Sequence, residues 1–230
     1  MLTASSCLVH QAPDAAALAH DLARFVAQHL SEGLAQRGQA LLVLSGGSTP
    51  VPFFEALSQA DIDWSRVHIT LADERCVAPD HADSNGRLVR AHLLQGPAAA
   101  AHWVSLQAAE PEAALGSLPW PADVVVLGMG GDGHTASLFP HAPELQAALD
   151  DTLPGRCVVV GIPPAPNVPV PRISLNRRTL LDTRQLVVHV TGATKWALLQ
   201  EALQPGPIED LPIRLALHQH QAPCRVFYSG

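Results

Sequence analysis

The sequence predicts an α/β protein that forms a single domain. Its sheet is expected to be open, mostly parallel and doubly wound, with helices on both faces, as in Rossmann-like folds. Short apolar runs without polar alternation recur along the chain, as is typical of strands covered on both faces. Segments with helical periodicity separate these runs, and such alternation predicts a parallel sheet. A length of 230 residues suits one large domain, so we expect residues 1–230 to form a single domain.

Each predicted strand is a short apolar run, and each predicted helix carries apolar residues at a spacing of three or four. The predicted strands are residues 40–44, 67–71, 103–106, 123–127, 157–161, 185–190 and 224–228. The predicted helices are residues 14–35, 50–59, 83–94, 193–203 and 211–218. Residues 161–171 contain five prolines and predict an ordered, extended loop, with a linker between domains as the alternative.

The composition excludes several classes of protein. Hydrophobic residues make up 47% of the chain and charged residues 15%, which excludes an intrinsically disordered chain. No apolar stretch approaches the roughly 18 residues of a membrane-spanning helix, and neither a secretory signal nor a transit peptide is visible. We therefore expect a cytoplasmic protein with no membrane partner. The net charge is −7 and the arginines are scattered, so we expect no nucleic-acid partner.

The four cysteines, Cys7, Cys76, Cys157 and Cys224, are far apart in the sequence and form no CxxC pair. This spacing argues against a zinc site and against a disulfide framework. We therefore expect reduced, mostly buried thiols.

The first loop with candidate functional residues is Ser45-Gly46-Gly47-Ser48-Thr49-Pro50, which follows a predicted strand and opens a predicted helix. The two glycines allow the backbone to approach a ligand closely. The hydroxyls of Ser48 and Thr49 and the amides of a helix N-terminus suit an anion such as phosphate. A tight turn with a helix cap explains the same residues equally well. No Walker lysine follows the glycines, which disfavours a nucleoside triphosphate.

A second group of candidates, Asp73, Glu74 and Arg75, follows the predicted strand 67–71, where an open sheet keeps its active site. A solvated ion-pair cluster on the surface is the alternative, since short charge runs are common on protein surfaces. The position at the end of a strand favours a functional role only modestly.

The third loop is Gly128-Met129-Gly130-Gly131-Asp132-Gly133-His134. Its spacing matches the GxGxxG dinucleotide fingerprint, but Pro140 ends the following segment too soon for the full helix that the fingerprint requires. We interpret the glycines instead as positioning Asp132 and His134. A histidine beside a carboxylate can act as a general base, with the acid fixing its tautomer or the local charge.

Two basic residues complete the candidates. Arg172 follows the proline-rich loop, and Lys195 lies where a predicted strand turns into a helix. Lys195 is the single lysine among 14 basic residues, which suggests that a compact ammonium is required there, with chance as the alternative. An amide-rich loop, an arginine and a lysine near strand ends describe a phosphate pocket beside Asp132 and His134. They predict a small phosphorylated substrate.

At these residues the sequence resembles the 6-phosphogluconolactonase family, within the larger group that also contains glucosamine-6-phosphate isomerases/deaminases. The resemblance covers nearly the whole chain, with five motifs in the order that the family has them. These motifs are residues 44–50, residues 73–75 with Ser84 and Asn85, residues 130–140, residues 171–175 and residues 192–195.

The resemblance implies hydrolysis of 6-phospho-D-glucono-1,5-lactone to 6-phospho-D-gluconate, the second step of the oxidative pentose phosphate pathway, without a cofactor. We also expect no metal, because the sequence has no cluster of Cys, His and carboxylate residues at ligand spacing. It implies that His134 deprotonates the attacking water, that Asp132 orients His134, and that Asp73 shapes the sugar site. Arg75 would contact either the oxyanion or the phosphate. The residues implied to hold the phosphate are Ser45, Gly46, Gly47, Ser48, Thr49, Arg172 and Lys195.

Two alternatives belong to other functional classes. An isomerase/deaminase shares the fold and the phosphate pocket. Deaminases, however, carry Asp-Glu-Tyr where this chain has Asp73-Glu74-Arg75, and Phe-Asn-Glu-Pro where it has Ser137-Leu138-Phe139-Pro140, so the deaminase glutamate is missing. A sugar-phosphate-binding regulator commonly carries an added DNA-binding segment, and this sequence shows no basic N-terminal extension for one. We expect a sugar-phosphate lactone as the small-molecule partner, and a monomer or a small homo-oligomer.

Overall fold

The computed structural model, which describes residues 7–164 and 166–230, contains ten strands in two sheets over those residues. The strands are β1 Leu8–Ala12, β2 Ala40–Leu44, β3 Val67–Leu71, β4 Asp73–Arg75, β5 His102–Trp103, β6 Val124–Gly128, β7 Cys157–Val160, β8 Arg172–Leu175, β9 Leu186–Thr191 and β10 Cys224–Ser229. Seven of them form the main sheet in the order β1-β10-β9-β6-β2-β3-β5, and every neighbouring pair is parallel. This sheet confirms the predicted fold class.

Eight α-helices lie in the described part of the chain. They are α1 Ala15–Arg37, α2 Val51–Ser58, α3 Asn85–His92, α4 Pro111–Gly116, α5 Leu145–Leu149, α6 Arg177–Leu181, α7 Ala193–Ala202 and α8 Arg214–Leu217. The ends of α1 follow local capping rules: the Asp14 carboxylate accepts a hydrogen bond from the Ala17 N–H, and Gly38, with φ +77°, donates to the Leu34 carbonyl. None of the described helices is both long enough and apolar enough to cross a membrane.

The core lies where α1 packs on the main sheet. Leu18, Leu22, Val26 and Leu30 recur at every fourth position of α1, and all four side chains are fully buried. This spacing places them on one face of the helix, which contacts β2 and β10. All five residues of β2 are also fully buried, as expected for a central parallel strand.

The second sheet corrects one expectation from the sequence. Residues 157–161 were expected to be a strand of the parallel sheet, but β7 pairs antiparallel with β8, and β8 pairs antiparallel with β4. The apolar run in β7 does not indicate burial on both faces, because Val159 is 70% exposed. The strands β1, β4 and β8 were not predicted as strands. The predicted strand 103–106 shares only Trp103 with β5, which covers His102–Trp103.

The cysteines differ from expectation in their burial. All four are free thiols, but only Cys224 is buried, while Cys7 and Cys157 are half-buried and Cys76 is exposed. The expectation of mostly buried thiols was therefore wrong. Cys7 and Cys224 are far apart in sequence but lie side by side: Cys7 directly precedes β1, Cys224 begins the adjacent β10, and 2.9 Å separates their Sγ atoms.

Candidate active site

A cavity of about 350 Å³ opens at the carboxyl edge of the main sheet, between the loops that follow β2 and β6. These strands are neighbours, but β3 lies beyond β2 and β9 lies beyond β6, so the chain leaves them toward opposite sides. A crevice forms at such a switch point in open α/β sheets. Ten residues singled out from the sequence line this cavity: Ser45, Gly46, Gly47, Ser48, Thr49, Asp73, Arg75, His134, Arg172 and Lys195.

The loop after β2 forms one wall of the cavity and leads into α2. The Ser45 N–H donates to the Val126 carbonyl on β6, which ties the start of the loop to the neighbouring strand. At Gly46, a Cβ atom would lie 1.9 Å from Oδ1 of Asn85, so only glycine fits at this close approach. Gly47 has φ +95°, a conformation that other residues rarely adopt. The buried Ser45 hydroxyl has no partner among the described residues.

The glycine-rich loop after β6 holds His134 against Asp132. The Gly130 N–H donates to the His134 carbonyl, and Gly133 turns the chain with φ +81°. A Cβ on Gly130 would lie 2.2 Å from the His134 ring, so glycine is needed beside it. Asp132 Oδ1 is 3.1 Å from the His134 backbone N and 2.5 Å from its Nδ1. This arrangement matches the predicted use of the glycines.

The contact between Asp132 and His134 defines the tautomer of the imidazole. Burial raises the pKa of Asp132, but the hydrogen bonds and positive charge of His134 outweigh burial and bring that pKa down to about 2. Asp132 is therefore a carboxylate at neutral pH and can only accept hydrogen bonds. His134 Nδ1 is the donor, which leaves Nε2 with a free lone pair that can accept a proton.

Of the adjacent Asp73, Glu74 and Arg75, two line the cavity and one does not. Asp73 is buried, and its Oδ2 accepts a hydrogen bond from the Ser137 hydroxyl at 2.6 Å. The Arg75 guanidinium donates to the Asp83 carbonyl through Nη1, while its buried Nε has no partner among the described residues.

Glu74 points away from the cavity and organises the start of α3. Its two carboxylate oxygens accept from four donors: the backbone N–H groups of Arg75, Asn85 and Gly86 and the Ser84 hydroxyl. A carboxylate at a helix N-terminus satisfies N–H groups that have no partner within the helix. Glu74 therefore has a structural role, and the ion-pair cluster that was the alternative for residues 73–75 does not form at the surface.

Besides Arg75, two further cations, Arg172 and Lys195, line the cavity without close anionic partners among the described residues. Arg172 is 3% exposed, yet its shortest contact to a carboxylate is 3.9 Å, from Nη1 to Oδ2 of Asp73, and its Nε is unpartnered. Burial lowers the pKa of Arg172, and burial likewise lowers the pKa of Lys195. Leaving buried positive charge uncompensated is costly, so both side chains favour an anionic ligand.

Three residues that bear on the site were not identified as site residues from the sequence. Asn85 lines the cavity and donates through Nδ2 to the Asp73 carbonyl. Ser137 holds the Asp73 carboxylate, and His189 on β9 lines the cavity beside Lys195. Asn85 and Ser137 lie within motifs already noted. The strand that carries His189 was expected to lead to Lys195 and the phosphate pocket, but nothing in the sequence singles out His189 itself.

Comparisons with known proteins agree with this geometry. The family described as Glucosamine-6-phosphate isomerases/6-phosphogluconolactonase matches residues 13–224. A curated 6-phosphogluconolactonase of Pseudomonas putida is 45% identical over 219 residues, which cover 91% of this chain and 89% of that protein. One from Pseudomonas aeruginosa is 47% identical over 212 residues, with 88% of each chain covered.

A solved structure is similar over the whole length. The crystal structure of a 6-phosphogluconolactonase from Shewanella baltica superposes with a TM-score of 0.91 and 40% sequence identity, and the match covers 99% of this chain and 100% of that one. The likeness therefore includes both sheets as well as the loops that form the cavity.

Proposed function

Since this chain belongs to the family of glucosamine-6-phosphate isomerases and 6-phosphogluconolactonases, we propose that the cavity between the loops after β2 and β6 is its active site. The protein hydrolyses 6-phospho-D-glucono-1,5-lactone to 6-phospho-D-gluconate, the second step of the oxidative pentose phosphate pathway. One observation carries the assignment of the site: a histidine with a free Nε2 shares a cavity with three cations, Arg75, Arg172 and Lys195, that have no close anionic partner among the described residues.

His134 is the general base in this proposal. Its Nε2 takes a proton from a water molecule, whose oxygen attacks the lactone carbonyl carbon. The tetrahedral intermediate collapses with cleavage of the bond between that carbon and the ring oxygen. The imidazolium returns its proton to the departing ring oxygen, which becomes the C5 hydroxyl. Asp132 keeps the imidazole in the active tautomer and stabilises the imidazolium during the reaction.

Arg172, Lys195 and the loop of residues 45–49 hold the phosphate. Hydroxyls and backbone amides of the loop supply neutral donors, and the two side chains supply positive charge. Binding energy from the phosphate, which does not react, positions the lactone carbonyl near His134. Asp73, held by Ser137, shapes the sugar end of the cavity.

Arg75 contacts either the oxyanion or the phosphate, and one variant separates these roles. If Arg75 stabilises the oxyanion, Arg75→Met lowers kcat for phosphorylated and unphosphorylated gluconolactone alike. If Arg75 binds phosphate, the same change lowers kcat/KM only for the phosphorylated lactone.

Phe139, at the position where deaminases carry a glutamate, disfavours deamination of glucosamine 6-phosphate. The segment that carries glutamate in deaminases has Phe139 here, which is buried with its ring centroid 4.5 Å from that of His134. An apolar ring at this position offers no acid or base for opening an amino sugar. It instead packs beneath His134 and beside the Arg172 guanidinium.

The deciding experiment offers the purified protein 6-phosphogluconolactone and glucosamine 6-phosphate in parallel. We expect acid release from the lactone above the spontaneous rate, and no ammonia from the amino sugar. Because lactones also hydrolyse spontaneously, a His134→Ala sample provides the matched blank at each pH. Ammonia release, or lactone hydrolysis no faster than the blank, would contradict the proposed function.

The remaining expectations concern organisation. One hydrophobic core cluster extends from Ala12 to Tyr228, which supports the proposal that residues 1–230 form a single domain. We propose a monomer or small homo-oligomer that acts in the cytoplasm, without a cofactor and without nucleic acid. Light scattering coupled to gel filtration measures the oligomeric state directly.

A further inference from the structure

His189 is a buried polar side chain at the cavity that the mechanism above does not use. It lies on β9, is 5% exposed and lines the cavity. Its ring makes no hydrogen bond with the described residues, and a single charged side chain, Lys195, acts on it. A ring that lines the cavity and has no partner among the described residues is free to form a hydrogen bond with a ligand held there.

The surroundings of His189 place it at the end of the cavity that suits phosphate. Its ring meets the edge of Phe53, with 6.2 Å between centroids, and Phe53 lies in the first turn of α2, directly after the loop of residues 45–50. Lys195 lies in the first turn of α7, which follows β9. His189 therefore sits between the N-terminal turns of two helices and beside an unpaired ammonium. All three features favour an anion.

We propose that His189 is a specificity-determining residue that donates a hydrogen bond from its imidazole N–H to the substrate phosphate, alongside Lys195. This inference rests on the proposed function, because it names a further contact in the same active site. It accounts for a polar ring where β9 otherwise contributes apolar side chains to the core.

The charge state of His189 suits a neutral donor. Burial, followed by the positive charge of Lys195, lowers the pKa of His189 to about 4, so the ring is neutral at physiological pH. A neutral imidazole has one N–H donor and one acceptor nitrogen. It adds a hydrogen bond to the phosphate without adding a second positive charge beside Lys195.

Three variants and one control test this proposal. His189→Leu removes the donor, His189→Asn keeps an amide near the position of Nδ1, and His189→Gln keeps one near Nε2. The measured quantity is the ratio of kcat/KM for 6-phosphogluconolactone to kcat/KM for unphosphorylated gluconolactone. His68→Gln is the matched control, since His68 lies on β3, stacks on His102 and is not part of the cavity lining.

We expect His189→Leu to reduce the ratio about 5- to 10-fold, mainly through KM for the phosphorylated lactone, as for loss of one neutral hydrogen bond. One of the two amide variants should keep most of the ratio and so identify the donating nitrogen. If His189→Leu fails to fold, the difference between the Asn and Gln variants still tests the proposal. The His68→Gln control should match the parent.

Two results would overturn the assignment of His189. One is a parental ratio of the two kcat/KM values in every His189 variant that folds. The other is an equal loss of kcat/KM on both lactones in all of these variants, because an equal loss indicates that His189 has a packing role. Failure of the proposed function is recognised separately, because the parent would then not hydrolyse the lactone. In that case, calorimetric titration with 6-phosphogluconate and with gluconate still tests His189, since only binding of the phosphorylated compound should weaken in His189→Leu.

Discussion

The imidazole Nδ1 of His134 lies 2.5 Å from the Oδ1 atom of Asp132, two residues earlier in the same glycine-rich loop. The histidine is therefore oriented locally, by its own loop, and not by a carboxylate from a distant element. Because Gly130 has no side chain, the ring can lie over the loop backbone. The proposed base and the residue proposed to orient it therefore move together if the loop shifts.

We predict that Asp132→Asn lowers kcat about 10²- to 10⁴-fold with little change in KM. An asparagine side chain can donate to Nδ1 of His134 and so stabilise the tautomer in which Nε2 carries the proton. In that tautomer Nε2 has no free lone pair, so His134 cannot act as a base. Steady-state kinetics with subtraction of spontaneous hydrolysis measures this effect. A variant with parental kcat would show that Asp132 does not determine the state of His134.

The lowered pKa of Asp132 also predicts a stability effect with a defined sign. A carboxyl group whose pKa falls from 3.8 to about 2 on folding stabilises the fold above pH 4. That stabilisation is lost as the pH falls toward 2. Chemical denaturation between pH 2 and pH 5 should therefore show that the free energy of unfolding falls less in acid for Asp132→Asn than for the parent. Parallel curves of this free energy against pH would contradict the lowered pKa.

We predict that His134→Ala removes most turnover while the fold and phosphate binding persist. A positioned general base contributes typically 10²- to 10⁴-fold, and the side chain is at the cavity wall, where truncation leaves the core unchanged. The neutral imidazole is the active form, so the activity of the parent should fall as the pH drops. The residual activity of His134→Ala should not show this fall. Near-parental turnover with an unchanged pH profile would place the base elsewhere, first at Asp73.

We predict that Arg172→Met and Lys195→Met each weaken use of the phosphorylated lactone by about 1.5 to 3 kcal/mol, the scale of a charge-assisted hydrogen bond. Methionine keeps much of the length of either side chain and removes the charge. Each variant should be compared on phosphorylated and unphosphorylated lactone. A variant that discriminates between the two as well as the parent does would not belong to the phosphate pocket.

The sequence predicted best those features that depend on local pattern. The strands β2 and β3 match their predicted bounds residue for residue, because β2 is wholly apolar, β3 is mostly apolar, and both are almost fully buried. The strand β1 was not predicted because its residues are mostly exposed. The antiparallel pairing of β7 with β8 was not predicted because an apolar run carries no information about strand direction.

The same division applies to the candidate site. The loops could be located because each follows a strand, and in parallel sheets the ends of such strands meet at one edge. The contact of Ser137 with Asp73 joins residues 64 positions apart, and the position of His189 between two helix starts depends on the packing of α2 and α7. Neither relationship has a local signal in the sequence.

We predict that Glu74→Gln lowers stability by about 1 to 3 kcal/mol with much smaller effects on kcat. The Glu74 carboxylate accepts hydrogen bonds from four donors. In glutamine an NH2 group replaces one of the two oxygens, and this group cannot accept from the donors that it faces. Denaturant unfolding measures the loss. A collapse of kcat at unchanged stability would instead point to a catalytic role for Glu74.

We predict that the thiols of Cys7 and Cys224 form a disulfide under oxidising conditions. Cys7 directly precedes β1, and Cys224 begins β10, which is adjacent and parallel to β1. The Sγ atoms lie 2.9 Å apart, so a disulfide needs little backbone movement. The hydrogen bond between the two thiols lowers the pKa of Cys7, although burial opposes this, so Cys7 is the attacking thiolate. With glutathione disulfide, Cys7 displaces one glutathione and Cys224 displaces the second, which leaves a protein disulfide and two glutathione molecules.

Oxidation should therefore link Cys7 to Cys224 and raise stability by about 2 to 4 kcal/mol, since the cross-link closes a long loop in the unfolded chain. Peptide mapping by mass spectrometry identifies the linked pair, and thermal unfolding before and after reduction measures the gain. Cys76→Ser removes the exposed thiol and should leave the gain intact, whereas Cys224→Ser should abolish it and trap glutathione on Cys7. A linkage through Cys76 or Cys157, or an oxidised protein no more stable than the reduced one, would refute the pairing.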